Sequence, residues 1–291
     1  MRTLFTIIIP HKDIPEFLDR CLRSIPHRED IQIIVVDDGS NDVDAVKIVE
    51  KSFPWVLFIY EKNSCGPGVA RNRGLEKANG EWIVFADADD YFVDGFWEHA
   101  EELSHLSADI VYTRCRAEKL ETERTFHRAD YYNAMIDAFQ QKKWRSEERL
   151  LLSHDVPWSK MIRHSLIQAN HIRFYPMMVG EDTVFSVSMA SHYPRIAVTD
   201  VVMYVITSRV GSLSTLTSRD MKRDHYISSL MIHQICPSVF TDSFMNPLMK
   251  FWKLNMKELL WMLKEMYIYR ANPFGAIWRA VVYKVGKICN R

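Results

Sequence analysis

The stretch Trp82-Ile83-Val84-Phe85-Ala86-Asp87-Ala88-Asp89-Asp90 sets three carboxylates at the point where a short, wholly apolar run ends. A run of that length and composition reads as a buried β-strand. Packing gives no reason for the acids that follow, because like charges this close repel and resist desolvation. They become sensible around a divalent cation, above all one that carries a diphosphate. Magnesium and manganese take oxygen ligands and usually keep one or two protein carboxylates beside substrate phosphates. An isolated Asp-x-Asp is more often a solvated acidic turn between a strand and a helix. Its surroundings here argue for more.

The residues before it alternate between strand-like and helix-like segments. Residues 4–9 form a β-branched run ended by Pro10, and Asp13-x-x-Glu16 then reads as a capping box. Phe17, Leu18, Cys21, Leu22 and Ile25 follow along one helical face. Residues 31–36 make a second apolar strand, followed by Asp37-Asp38-Gly39-Ser40 and a helix beginning near Asp42. Residues 56–60 make a third strand, and Cys65-Gly66-Pro67-Gly68 opens a helix running to about Ala78. Short apolar strands separated by helices indicate repeated β-α-β units and a parallel sheet covered on both faces. Ligands bind such sheets at the carboxyl ends of the strands. His11 and Asp13, Asp37 and Asp38, and Asp87 and Asp89 then share one rim. Acids that only solubilise loops would not gather at that end.

Beyond Asp90 the pattern loosens. Residues 95–106 read as a helix and 110–114 as a strand, and 116–148 as polar and partly helical, with Tyr131, Tyr132, Met135, Ile136 and Phe139 buried. Val156-Pro157-Trp158-Ser159-Lys160 is expected to lead into another helix, Glu181-Asp182 to open one, and 196–206 to form a strand or strand pair. No repeat or low-complexity linker is visible, so one domain with a helical C-terminal appendage is expected.

Of the 291 residues, 47% are hydrophobic and 25% charged, and 37 basic residues balance 37 acidic ones, a total that suggests no nucleic-acid binder. Cys21, Cys65, Cys115, Cys236 and Cys289 are scattered without a Cys-x-x-Cys pair, which fits a reducing cytoplasm better than disulfides or a zinc site. The apolar residues after Met1-Arg2 are too few for a signal peptide and run into Pro10, His11, Lys12 and Asp13. No uncharged stretch approaches the ~20 residues of a spanning helix. From 248 to 291, nine basic residues face only Glu258 and Glu265 and interleave with Trp252, Trp261, Tyr267 and Trp278. Such a segment suits an anionic membrane surface; a helix pair packed on the domain with solvated lysines fits it as well. The expected location is the cytoplasm, with peripheral attachment to the cytoplasmic face of the inner membrane.

Four motifs then carry a resemblance. Thr6-Ile7-Ile8-Ile9-Pro10, Ile34-Val35-Val36-Asp37-Asp38-Gly39-Ser40, Gly68-Val69-Ala70-Arg71-Asn72-Arg73-Gly74 and Phe85-Ala86-Asp87-Ala88-Asp89-Asp90 resemble, in order and spacing, the inverting family 2 glycosyltransferases. The likeness is dense over residues 3–92 and returns at Trp158-Ser159-Lys160 and Gly180-Glu181-Asp182. It implies an α/β fold of the GT-A type, Rossmann-like, with a mostly parallel central sheet flanked by helices. Residues 1–215 would be the catalytic domain, 1–92 its nucleotide-sugar-binding half and 93–215 its acceptor-binding half, followed by the appendage 216–291. The implied reaction moves a sugar from a nucleoside-diphosphate donor, with UDP expected, to a hydroxyl of a glycan or lipid-linked acceptor. Mn2+ or Mg2+ would assist, and surface polysaccharide or lipopolysaccharide synthesis is the expected setting.

Residue by residue, the resemblance makes Asp37 the partner of the base, with Asp38 supporting its turn. Pro10, His11 and Asp13 would flank the nucleoside, and Gly68, Arg71 and Ala88 would lie against the donor. Asp87 would face the ribose or metal, Asp89 would ligate the metal, and Asp182 would be the general base. Glu181, Lys160, Trp158, Arg209 and Ser212 are weaker candidates, Lys160 and Arg209 as phosphate neutralisers. Ordinary roles compete: Glu181-Asp182 could be acids at a positive helix end, and Asp38 a turn residue. A nucleotidyltransferase would want a glycine-rich loop and a basic residue directly after the first strand, where Pro10-His11-Lys12-Asp13 stands. An Asp-x-Asp phosphatase would want its pair there too, and no Walker loop is present. A non-catalytic sugar-nucleotide binder stays open.

Overall fold

The apolar runs of the first ninety residues become four parallel strands: β1 (Phe5–His11), β2 (Ile31–Asp37), β3 (Leu57–Tyr60) and β4 (Trp82–Phe85). The structure is a computed structural model that describes residues 2–119, 127–208, 218–236 and 256–269. Side chains of β1 alternate between two apolar layers. Phe5, Ile7 and Ile9 meet α1 (Pro15–Arg23) and α2 (Val43–Ser52) on one face, and Ile8 meets Leu75 of α3 (Pro67–Lys77) on the other. Burial on both faces is why these strands read as continuous hydrophobic runs.

The chain continues through β5 (Tyr91–Phe92), α4 (Phe96–Ser104), β6 (Ile110–Lys119), α5 (Arg128–Gln140), α6 (Ser146–Ser153), β7 (Lys160–Arg163), α7 (His164–Ala169), α8 (Glu181–Ala190) and β8 (Ile196–Ser208). All eight strands form one sheet in the order β3-β2-β1-β4-β7-β6-β8-β5. β7 runs antiparallel to both its neighbours and β5 antiparallel to β8, so the other six strands point one way. Their carboxyl ends form the rim expected to carry the site.

The segment at Trp158 leads into a helix as expected, but a strand comes between them. Lys160–Arg163 is a strand, and α7 starts only at His164. Four residues are too few to show a strand period. What makes the strand is tertiary: Ser159, at φ +57°, donates from Oγ to the carbonyls of Thr113 and Arg114 at 3.1 and 3.3 Å. There β6 carries a register irregularity around Arg114. β6 also runs on to Lys119 instead of ending at Arg114.

The chain divides into two compact units, Met1–Leu216 and Thr217–Arg291. In the second, α9 (Arg219–Ile235) packs on α10 (Met256–Ile268), with the Tyr226 ring 5.7 Å from that of Trp261 and Met262 and Met266 buried. Among the described residues, no helix is long and apolar enough to cross a membrane.

Candidate active site

The β1–β2 end of the rim is tied together by its own acids. His11 and Asp37 are register partners and both buried, and His11 Nδ1 lies 2.8 Å from Asp37 Oδ1. Because Ile14 N donates to His11 Nε2 at 3.2 Å, the ring carries its proton on Nδ1 and donates it to Asp37. Ser40 adds its hydroxyl to Asp37 Oδ1 at 2.5 Å and its N–H to Oδ2 at 3.0 Å. Burial raises the Asp37 pKa, but these donors outweigh it and hold the carboxyl below its ordinary value. Both residues are thus engaged by the protein. Pro10 is half-buried, and Asp13, at φ +56°, is the exposed acid here, accepting from Asn41 N and Nδ2 at 2.6 and 2.9 Å.

Asp38 shapes the glycine-rich loop. It is buried and accepts from Cys65 N at 2.7 Å, Gly66 N at 3.0 Å and Ser64 Oγ at 2.7 Å, which fixes the entry to α3. Gly68, in the first turn of α3, lets that helix approach the 174–181 segment. A Cβ there would stand 2.8 Å from Glu181 Cγ and 2.9 Å from the Tyr175 carbonyl oxygen.

Past β4, the acidic turn is clamped from beneath. Asp87 N donates to Tyr204 Oη at 2.7 Å, and Thr207 donates from N to Asp90 Oδ1 at 2.7 Å and from Oγ1 to the Asp89 carbonyl at 2.6 Å. Arg20 also reaches the Asp89 carbonyl. Asp90 and Ala88 are buried, and Asp87 and Asp89 are half-buried. Burial, with the charges of Asp89 and Asp87, pushes the Asp90 carboxyl well above the usual range. Among the described residues no three His, Cys, Asp or Glu side chains could hold a metal by themselves. The oxygen pair Asp87 and Asp89 nevertheless suits Mg2+ or Mn2+, which complete their shells with phosphate and water.

Across the cleft stands α8. Arg71, buried, donates from Nη2 to Asp87 Oδ1 at 2.7 Å and from Nη1 to Glu181 Oε1 at 3.0 Å, while its Nε has no partner. One guanidinium thus joins the acidic turn to the start of α8. Burial, then the neighbouring Asp182 charge, raises the Glu181 carboxyl to about 8, with Arg71 opposing. Asp182 is half-buried and accepts from Thr183 N at 2.8 Å. Its pKa is raised by burial and by Asp155, and lowered by Arg71, Thr183 N and Arg128. Trp158 is buried and stacks on Tyr204 at 5.5 Å, forming a floor rather than a wall. Lys160 is also buried, and its ammonium donates to the His154 carbonyl at 2.5 Å and Ser186 Oγ at 3.4 Å, so its contacts lie inside the protein. Arg209 and Ser212 lie outside the described residues.

Three residues of this site have no signal in the sequence. Arg128, at the start of α5, lies over the Trp158 ring at 5.2 Å and feels the charges of both Asp87 and Asp182. Asp155 accepts from Tyr132 Oη at 2.8 Å and Thr183 Oγ1 at 3.3 Å. Tyr204 comes from β8, 117 positions from the turn it supports. Arg128 and Asp155 sit in ordinary polar surroundings and Tyr204 in an apolar strand, and only the fold brings them in.

This sheet order with an acidic turn after β4 defines a GT-A fold. A crystal structure of Staphylococcus aureus TarS 1-349 in complex with UDP-GlcNAc superposes with a TM-score of 0.63 at 21% identity, over 93% of this chain and 75% of that one. A mannosyltransferase from Pyrobaculum calidifontis, in complex with GDP-Man and Mn2+, superposes with a TM-score of 0.51 at 16% identity, over 99% and 76%. In sequence, the glycosyltransferase YibD of Escherichia coli is 26% identical over 76% of this chain and 66% of its own length. The chain spans about half to two thirds of the first curated relatives it matches. The Glycosyl transferase family 2 profile matches residues 6–169, and the chain belongs to that family.

Proposed function

We propose that this family 2 glycosyltransferase moves a sugar from a UDP-linked donor to a hydroxyl of a glycan or lipid-linked acceptor, with inversion at the anomeric carbon. One observation carries the reading: Arg71 joins Asp87 and Glu181 at 2.7 and 3.0 Å, so the acidic turn and Asp182 face one cleft. Residues 1–92 form the donor half and 93–215 the acceptor half. Pro10 and Asp13 stand beside the nucleoside, while His11, Asp37, Asp38 and Gly68 act by holding the wall behind it. The TarS complex with UDP-GlcNAc supports a UDP donor. Asp182 accepts the proton of the attacking hydroxyl as its oxygen bonds to the anomeric carbon and the bond to the diphosphate breaks. Arg71, with Nε unpartnered, lies where negative charge grows. Asp89 and Asp87 would hold Mn2+ or Mg2+, which when bound offsets charge on the departing diphosphate.

The basic, aromatic segment 248–291 is the proposed contact with an anionic membrane carrying the acceptor, on the cytoplasmic side, for surface-glycan assembly. Co-sedimentation with anionic vesicles checks it, and a protein left wholly in the supernatant removes it. The reaction itself is tested by nucleoside diphosphate release from a panel of sugar nucleotides, with Mn2+ or Mg2+ against chelator. Turnover of one donor that stops in Asp182→Asn, with donor binding retained, is the expected result. Full transfer by Asp182→Asn refutes the base assignment.

A further inference from the structure

Lys160 is the buried cation that the reaction scheme leaves without a task. The residue is 1% exposed, and its ammonium donates to the His154 carbonyl and Ser186 Oγ and lies over the Tyr112 ring, 5.3 Å from the centroid. Among the described residues it forms no ion pair within 4.0 Å. A buried ammonium without a carboxylate partner is costly, so its position calls for a reason. Ser186 and Asp182 are four residues apart on α8, on one face, with Cβ atoms roughly 6 Å apart. Lys160, held on Ser186, therefore sits one turn beneath Asp182. Two side chains complete the link: Ser186 Oγ donates to the Asp155 carbonyl at 3.2 Å, and Thr183 Oγ1 lies 3.3 Å from Asp155 Oδ2 and 3.5 Å from Asp182 Oδ1.

We propose that Lys160 is a positioning residue for the transfer: its buried ammonium, one turn below Asp182 on the inner face of α8, keeps that carboxylate ionised and able to accept a proton. The proposal rests on Asp182 as the base. The charged groups around Asp182 act with both signs. Asp155 and Glu181 oppose its ionisation, and Arg71 from α3, Arg128 from α5 and Lys160 from β7 favour it. Arg71 is shared with Asp87 and Glu181, and Arg128 lies on Trp158. Lys160 reaches Asp182 from beneath α8, inside the protein, where screening is weak. His154 adds no competing charge, because burial and then the Lys160 charge keep its ring neutral. The support runs both ways: burial pulls the Lys160 ammonium down to about 7, against the charges of Asp155 and Asp182.

The test is carboxyl-carbon NMR of protein labelled at aspartate, with the Asp182 signal identified by its loss in Asp182→Asn. In Lys160→Met the Asp182 midpoint rises, because the positive charge one turn beneath it is gone. In Asp155→Asn it falls, because the opposing charge is gone. The acidic limb of the pH profile for UDP-GlcNAc hydrolysis moves with the midpoint in each variant. An unmoved midpoint in a folded Lys160→Met overturns the proposal. If that variant does not fold, Lys160→Gln decides, and an Asp182 midpoint that stays or falls overturns the proposal. Hydrolysis surviving in Asp182→Asn would remove the base assignment while leaving the NMR shift to stand or fall by itself.

Discussion

Replacing Gly68 with alanine probes the approach of α3 to α8 on which the cleft depends. The new methyl would lie 2.8 Å from Glu181 Cγ, 2.9 Å from the Tyr175 carbonyl oxygen and 3.1 Å from Phe174 Cβ. Optimal contact is about 3.5–4.0 Å, so it overlaps three neighbours at once. The Glu181 side chain can swing, but the Tyr175 oxygen is backbone. Phe174 is locked by its ring, stacked on Phe185 at 3.9 Å. Overpacking of this kind costs about 1–3 kcal/mol, and the better helix propensity of alanine returns at most about 1 kcal/mol. The net loss is about 1–2 kcal/mol. Relief comes by moving the start of α3 outward, which lengthens the 3.0 Å contact of Arg71 with Glu181, so donor turnover falls as well. Urea unfolding gives the first quantity and nucleoside diphosphate release the second. Gly95→Ala is the control: its φ is +78° and the nearest atom to a new Cβ is Glu98 Oε2 at 3.9 Å. It should lose about 1 kcal/mol to left-handed strain with turnover intact. A Gly68→Ala protein with unchanged stability and turnover would refute the packing account.

Other outcomes follow from the same contacts. His11→Phe leaves the buried Asp37 carboxylate short of a donor and costs about 1–3 kcal/mol at neutral pH. Since the folded-state pKa of Asp37 is depressed, its contribution is complete above the unfolded value of about 4 and is lost as pH falls through the lower folded one. The gap between parent and variant melting temperatures should therefore close on acidification, and a gap that widens contradicts the assignment. Tyr204→Phe removes the acceptor of Asp87 N and a donor to Asp90, and should lower stability by about 1–3 kcal/mol, read by thermal melting. Asp89→Asn should abolish the response of donor turnover to added Mn2+ or Mg2+; an undiminished response would move the metal elsewhere.

Much of the fold was legible because it is written locally. Continuous apolar runs such as residues 33–36 mark strands buried on both faces, and Cys65-Gly66-Pro67-Gly68 marks the start of a helix. The second half was less so. β5 and β7 are too short to show a period, and β7 exists because Ser159 plugs into the irregularity of β6.

The amino-acid sequence by itself determined the four strands and three helices of the first half and which acids reach the strands' carboxyl ends, since hydrophobic period and turn chemistry act over a few residues. Tertiary structure decided what each acid does. Asp37 and Asp38 lie beside each other in the chain as Asp87 and Asp89 nearly do, yet the first two are buried and hydrogen-bonded by the protein, while the others stay half-buried at the cleft. Arg71 meets Glu181 across 110 positions, and Lys160 is carried under α8 by a strand inserted between β4 and β6. Desolvation and charge pairing at those distances depend on which elements pack together, and no local pattern of residues encodes that.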